Sequence, residues 1–451
     1  MSEHAPDWLS VAERTVALAT AAGATEAEAL VTAADARLTR FANSEIHQNV
    51  AETNADCNLR FVVGKRVGVA SSGRLDDEGI RRLVERAGAI AHNVEELGDW
   101  AGLPEPDGVP KVARAVMFAE ATAGSGPEQR AEGARAVIAA ADAAGVVAYG
   151  SFATNVESMA VANSRGIRSA QERTWSQLIT VSMGADGGTG YAEAAAVDVS
   201  AIDAAALGRE ASAKARATGS ARSIEPGDYP VVLEEYAVVD IMDMLGYLGF
   251  SALAVQEERS FVEIGKRIGS PLITIRDDGA DPAGLPMAID YEGVTKQRVP
   301  LVDAGVCAGL VYDTQTAARA GVRSTGHGLP APNPYGPFPL NMVMDAGTTS
   351  RDDLVGGLDR GLLVTRFHYT NPVHPKLGIV TGMTRDGTFL VEGGQIVGPV
   401  RNMRFTQSYL DAILRTSAVG RERKTLKGFL GGSVVPALRI DAFTFTGATE
   451  H

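Results

Sequence analysis

At 451 residues, with 45% hydrophobic and 22% charged side chains, the chain is long enough for two hydrophobic cores and too apolar for disorder to be its default state. A net charge of −13 argues against broad nucleic-acid binding and against adsorption to anionic lipid. Two cysteines, Cys57 and Cys307, cannot supply a disulfide framework for a chain of this size and read as buried thiols in a reducing cytoplasm. Residues 1–10 show no apolar signal core, and no apolar run reaches membrane-spanning length, so a cytoplasmic protein with no membrane association is expected.

Ser10 and Glu13 have capping-box spacing, so a first helix is expected to start at Ser10 and stop near Gly23. Residues 28–43 and 45–58 read as long strands joined by the turn at Ala42, Asn43 and Ser44. Residues 59–63 and 66–70 flank a Gly64-Lys65 hairpin signal, and 74–91 have helical spacing. The order then recurs: a helix at 127–144 with Pro127 in its first turn, strands at 146–162 and 167–183, and an Ala-rich helix at 201–218. Both stretches carry an Ala-Asn-Ser turn, the second at Ala162 to Ser164, which suggests internal duplication; convergence on good turn residues explains it equally well.

Gly219, Pro226 and Gly227 mark a boundary, giving an N-terminal α+β domain at 1–222 and a second domain at 226–451 entered by a helix at 234–249. Short apolar runs at 272–276, 287–291, 297–302, 307–311, 340–344, 362–367, 388–392 and 395–400 read as strands, and 433–445 is again extended. The fold class is therefore α+β: helices and long antiparallel strands first, then a mainly β domain of barrel or sandwich type with a further helix at 408–416.

None of the seven histidines sits in a His-Glu-x-x-His or His-Glu-x-x-x-His arrangement, the spacing that puts two imidazoles on one helical face. His368 and His374 are the one close pair, and Pro372 and Pro375 exclude a regular helix there. A loop converging both on a metal, with Cys307 or a carboxylate as third ligand, competes with a polar loop that contacts a partner or substrate; the latter is preferred. Glu235 is a candidate general base, but an acid in a first turn also simply suits the helix dipole. Glu234 and Glu235 are adjacent and do not share a helix face. The Gly-rich stretch 184–190 lacks the ending of a phosphate-binding loop and reads as a hairpin tip. The segment 326–339, with prolines at 330, 332, 334, 337 and 339, must be extended and serves either as the rim of a peptide site or as a pinned surface loop.

The runs RFANSEIHQ at 40–48, LRFVVGKRVG at 59–68, RGLLVTR at 360–366, VTGMTRDGTFLVEGGQI at 380–396 and GGSVVPAL at 431–438 together resemble the TldD/PmbA family over nearly the whole chain. That resemblance implies two kinds of subunit. The TldD kind binds zinc through His-Glu-x-x-x-His on the first helix of the C-terminal domain and a cysteine near the C-terminus; the TldE or PmbA kind lacks these residues and pairs with it. Here the corresponding positions hold Glu234, Glu235 and Val239, and Phe429, Leu430 and Gly431 stand where the cysteine would be. The resemblance thus implies a non-catalytic subunit without a cofactor of its own, a TldD-like partner carrying the zinc, and an extended peptide as substrate. Arg366, His368, Asn371 and His374 are expected to face the enclosed chamber or the subunit interface. The alternatives are a stand-alone hydrolase with an unrecognised metal or carboxylate site, and a homodimeric binding protein.

Overall fold

The computed structural model describes residues 7–108 and 112–448. Helix α1 (Trp8–Ala21) is capped by Asp7, whose carboxylate accepts the Ser10 N–H at 3.2 Å. The helix therefore begins ahead of the expected Ser10, because Asp7 caps an earlier turn by taking the orphan N–H of Ser10 itself.

Strands β1 (Glu26–Ala42), β2 (Glu45–Val63) and β3 (Arg66–Ser72) form a meander followed by helix α2 (Asp77–Asn93). Residues expected as two strands at 45–58 and 59–63 are one continuous β2. Two single-turn helices, α3 (Arg114–Met117) and α4 (Glu120–Ala123), lead to α5 (Pro127–Ala144). A second meander follows, β4 (Val147–Asn163), β5 (Arg168–Met183) and β6 (Thr189–Ala196), and then α6 (Ala204–Ala217). The six strands make one antiparallel sheet in the order β3-β2-β1-β4-β5-β6. β1 and β4 are paired from Glu28 opposite Asn163 to Phe41 opposite Gly150, so the sheet is symmetric about that central pair.

The two halves match in detail. Ser44 donates its N–H to Ala148 O at 3.0 Å and its Oγ accepts the Ala148 N–H at 3.1 Å. Ser164 makes the same pair of bonds with Ala27, at 2.8 and 2.9 Å. Each turn thus pins the start of the other half's first strand. Each half also brings a helix onto a glycine. A Cβ on Gly68 would lie 2.1 Å from Ala87 O of α2, and one on Gly190 would lie 2.0 Å from Ala211 O of α6. Internal duplication is the proposal that accounts for both matches at once.

One face of this sheet carries two helix pairs. α1 and α2 pack on Ala29, Val31, Leu59 and Phe61, and α5 and α6 pack on Phe41, Phe152 and Leu178. On the other face Leu30, Met159, Val161 and Ile167 meet Met287, Ile289 and Val294 of the second half.

The second half starts with β7 (Gly227–Leu233) and α7 (Glu235–Leu248). Its remaining strands are β8 (Ile275–Asp277), β9 (Val299–Asp303), β10 (Val306–Cys307), β11 (Met342–Met344), β12 (Arg360–His374), β13 (Ile379–Glu392), β14 (Gln395–Pro399), β15 (Met403–Ser408), β16 (Thr416–Lys427) and β17 (Gly432–Ala448). They form one large mixed sheet, in which β7 runs parallel to β12 and antiparallel to β17. The path ends at β10, so the sheet as a whole is not a closed barrel, although β7 also pairs with β17. α7 lies against β12 and β17, and Val238, Ile241, Met242 and Leu245 are all buried.

Two local expectations are also corrected. Residues 287–291 are not a strand, because the Asp290 carboxylate takes the N–H groups of Glu292 and Val294, both at 2.9 Å, and of Gly328 at 2.7 Å. The polar loop expected at 366–374 is the outer half of β12, paired with β13 through bulges near Thr365, Tyr369 and Val373 that let the strand accommodate Pro372. Among the described residues no helix is long and apolar enough to cross a membrane. Cys57 and Cys307 are free and buried in different cores.

The glycine contacts give a direct test of the repeated frame. Gly68→Ala and Gly190→Ala should each destabilise the protein by about 2 kcal/mol in urea unfolding, the usual cost of overpacking. Gly98→Ala, whose Cβ would meet nothing within 4 Å, should be near neutral.

Candidate functional site

β7 ends inside the sheet and hands its chain directly to α7. Glu234 N–H donates to Val364 O of β12 at 3.0 Å, and Glu234 O starts the helix by accepting from Ala237 and Val238. Both acids of this first turn are consequently buried: Glu234 is 1% exposed and Glu235 4%. A buried carboxylate needs a counter-charge or gives up its charge. Glu234 has two partners: Lys214 Nζ of α6 at 2.6 Å, and the Arg351 guanidinium. Glu235 lies 3.8 Å from the same guanidinium, and its Oε2 accepts no hydrogen bond; burial pushes its carboxyl above the usual range. The two glutamates converge on one arginine even though their helix positions do not share a face.

The next residue extends the network. Tyr236 receives a hydrogen bond from Lys424 Nζ at 2.6 Å and donates to Glu210 Oε1 at 3.1 Å. Lys424 also donates to both Glu210 oxygens, at 3.2 and 3.1 Å. Burial alone would raise the Glu210 carboxyl, but Lys214 and Lys424 outweigh it and hold it at about 2. Tyr191 packs edge-on against Tyr236 at 5.1 Å and donates to Glu193 at 2.6 Å. Arg366 stacks over Tyr191 at 4.3 Å while its Nε donates to buried Asp386 at 2.7 Å. Tyr191, Glu193, Glu210 and Lys214 come from the first sheet and its helix; the others come from the second. The cluster is the polar seam between the halves.

Further along α7, Asp243 reaches the segment 428–430, where its Oδ2 accepts the Phe429 N–H at 2.8 Å and its Oδ1 has no partner. Desolvation lifts this carboxyl to about 7. A carboxyl raised on folding favours the folded state when protonated, so stability falls as pH climbs from about 4 to about 7.

The other predicted residues are dispersed. Arg366 turns inward to the seam. His368 is half-buried, and desolvation together with Arg385 and Arg366 depresses its pKa. Asn371 and His374 are exposed, the former donating to Tyr369 O at 3.0 Å. His368 is opposite Met383 and His374 opposite Ile379. Four residues of strand separate those rungs, about 13 Å at the usual rise, too far for one metal ion. Cys307 lies in a hydrophobic core and supplies no third ligand. Among the described residues no group of three or more His, Cys, Asp or Glu is placed to hold a metal. Sequence reasoning did not find Lys214, Arg351, Lys424, Glu193 or Glu210: apart from the local pairs Lys214–Glu210 and Tyr191–Glu193, the contacts that join them cross from one half of the chain to the other, and no short motif links them.

A model of the PmbA/TldA metallopeptidase C-terminal domain matches residues 226–447, and a model of domain 1 of the same metallopeptidases matches residues 27–91. The chain belongs to the TldD/PmbA family. A Haemophilus influenzae TldD metalloprotease homologue is 28% identical over 268 residues, 54% of this chain and 54% of its own length. A Buchnera aphidicola TldD homologue from the pea-aphid strain is 30% identical over 37% of this chain and 34% of its own length. The chain thus spans about half the length of the first of these curated relatives and a third of the second. Crystalline TldE from Thermococcus kodakarensis has the same fold, with a TM-score of 0.87 at 22% identity over 97% of this chain and all of that one.

The raised Asp243 carboxyl yields a pH prediction. Asp243→Asn should be close to wild type in stability near pH 4 and increasingly more stable than wild type up to pH 8. Urea unfolding across that range should show the gap widening by about 1–3 kcal/mol, the scale expected for a shift of this direction. A gap independent of pH would contradict the desolvated carboxylate.

Proposed function

We propose that this member of the TldD/PmbA metallopeptidase family is the non-catalytic, substrate-enclosing subunit of a two-subunit cytoplasmic peptidase. The observation that carries this reading is the state of Glu234. The first turn of α7 is where the family resemblance puts the zinc motif, and there Glu234 is already neutralised by Lys214 and Arg351. Val239, a hydrocarbon side chain packed against the core, stands at the second ligand position, and Leu430, another, lies in the stretch of the missing cysteine. This donor set does not fit zinc, which takes imidazole, thiolate or free carboxylate. Glu235 retains an oxygen without a hydrogen bond and has the Arg351 guanidinium 3.8 Å away.

The peptide-bond chemistry is accordingly assigned to a TldD-like partner that carries the zinc. This chain would form one wall of a chamber for unfolded or ribosomally made peptides, which extended backbone can bind by strand addition. The outer β12–β13 hairpin suits the partner interface: Tyr369, Val373 and Leu377 are all more than half exposed on it, beside His374. Arg366, in contrast, works inside this subunit.

The test is metal content and peptidase activity of the chain alone and co-expressed with a His-Glu-x-x-x-His homologue. The expected result is neither property alone, and both in a stoichiometric complex. Tyr369→Ala with His374→Ala should weaken that complex about tenfold or more, as loss of an aromatic interface anchor does, without lowering the melting temperature of the isolated chain. Stoichiometric zinc with cleavage by the isolated chain would overturn the proposal.

A further inference from the structure

A hollow lies apart from the polar seam. A cavity of about 510 Å³ lies on the face of the first sheet turned toward the second half, far from α7 in the strand order. Its origin is legible in the register. Two neighbouring rungs cross four strands: Asp56, Thr32, Met159 and Gln171 on one, and Asn54, Ala34, Glu157 and Arg173 on the next. Side chains two apart on a strand share a face, so these eight point the same way. Small Thr32 and Ala34 on the middle strand form the floor. Longer side chains on β2, β4 and β5 form the walls, and Met287 and Tyr291 from the second half form the roof.

The two walls differ electrostatically. On the β4–β5 side, Glu157 is fully engaged. It accepts from Arg173 Nε at 2.7 Å and from Trp175 Nε1 at 2.7 Å, and Lys427 stacks over that indole at 4.5 Å. Gln171 is spent on the backbone N–H groups of Ala288 and Ile289, at 2.8 and 3.2 Å. On the β2 side, Asp56 and Asn54 make no side-chain hydrogen bond or ion pair among the described residues, and nor does the Tyr291 hydroxyl in the roof. Asp56 is half-buried, and desolvation raises its carboxyl, as expected of an acid without a cation beside it. The cavity therefore offers one uncompensated carboxylate, an amide, a phenol over the opening and an apolar lining of alanine and methionine.

We propose that this cavity binds the basic side chain of an extended peptide, with the aliphatic stem against Ala34, Met159 and Met287 and the ammonium or guanidinium group on Asp56. A lone partly desolvated carboxylate gains a charge-assisted hydrogen bond from such a group, and the roof tyrosine offers its ring and hydroxyl to the same cation. The volume is that of a site for a drug-sized ligand, so residues flanking the basic one are enclosed too. The peptide as occupant rests on the reading of this chain as a chamber wall. The cavity and its charge do not, and the experiment needs no partner subunit.

Isothermal titration of the full chain alone with acetyl-Ala-Lys-Ala-amide, with the norleucine counterpart and with 1,5-diaminopentane separates the outcomes. The lysine peptide should bind about tenfold more tightly than the norleucine peptide, the scale of one charge-assisted contact. Asp56→Asn should remove that preference without lowering the melting temperature, since Asp56 holds nothing in the fold and its charge is disfavoured by burial. Ala34→Leu, which fills the floor, should weaken both peptides. Equal binding of the two peptides, or none, overturns the proposal. A diamine that binds as tightly as the lysine peptide also overturns it, because the cavity would then read a free amine and no peptide. Failure of the co-expression test with success here would leave a peptide-binding protein without a catalytic partner.

Discussion

A carboxylate removed from water must be matched by a charge, and the second half of this protein is positioned by that requirement at Glu234. Lys214 satisfies it from the first half and Arg351 from the second, so the residue that starts α7 is also the residue that ties the halves. Such a buried pair contributes little net stability, because desolvating both ions offsets their attraction. Its effect is on register. Withdrawing Lys214 would leave the buried carboxylate with only the more exposed Arg351, which disfavours other dockings of α6 against α7. Glu210, Tyr236 and Lys424 repeat the constraint one turn of side chains away, and Arg366 with Tyr191 repeats it again at β12.

Around that seam the first sheet acts as a frame. Its two matching halves meet along β1 and β4, and each turn serine pins the strand start of the other half, which leaves the sheet little freedom to slip. Long, fully paired strands also produce the hollow beneath Met287 and Tyr291. Alanine and threonine at the centre of β1 sink the floor while neighbouring strands carry long side chains, and the second half roofs the gap without filling it.

Glu234 at the start of α7, and Val239 one turn further on, are part of this scaffold. A histidine pair on a helix exposes ligands to an open site, whereas Glu234 and Val239 face inward to cations and hydrocarbon. Asp243 on the same helix keeps a backbone N–H of the 428–430 segment in place, and does so as a carboxyl whose charge is disfavoured by burial. The polar groups of this helix thus serve packing and the tie to neighbouring segments.

The sequence by itself determined the α+β class, the long strands β1, β2, β4 and β5, the helices α2, α5 and α6, and the family. Each of these is written in local periodicity, in turn residues such as Asn43-Ser44, or in contiguous runs. It determined also that no zinc motif is present, since that motif is local. It did not reveal β6, β15 or β16, whose short or highly charged runs form strands only because neighbouring strands supply their hydrogen bonds. Asp290 turned an apolar run away from strand by capping backbone groups, an outcome set by where Gly328 lies. The barrel expectation failed for a related reason: strand count is local, but pairing order is not. That Glu235 lies beside Arg351, that Asp56 stays unpaired, and which residues compensate Glu234 were decided by tertiary structure alone. Charge compensation acts through space, and the partners are separated in the chain by distances over which one-dimensional pattern carries no information.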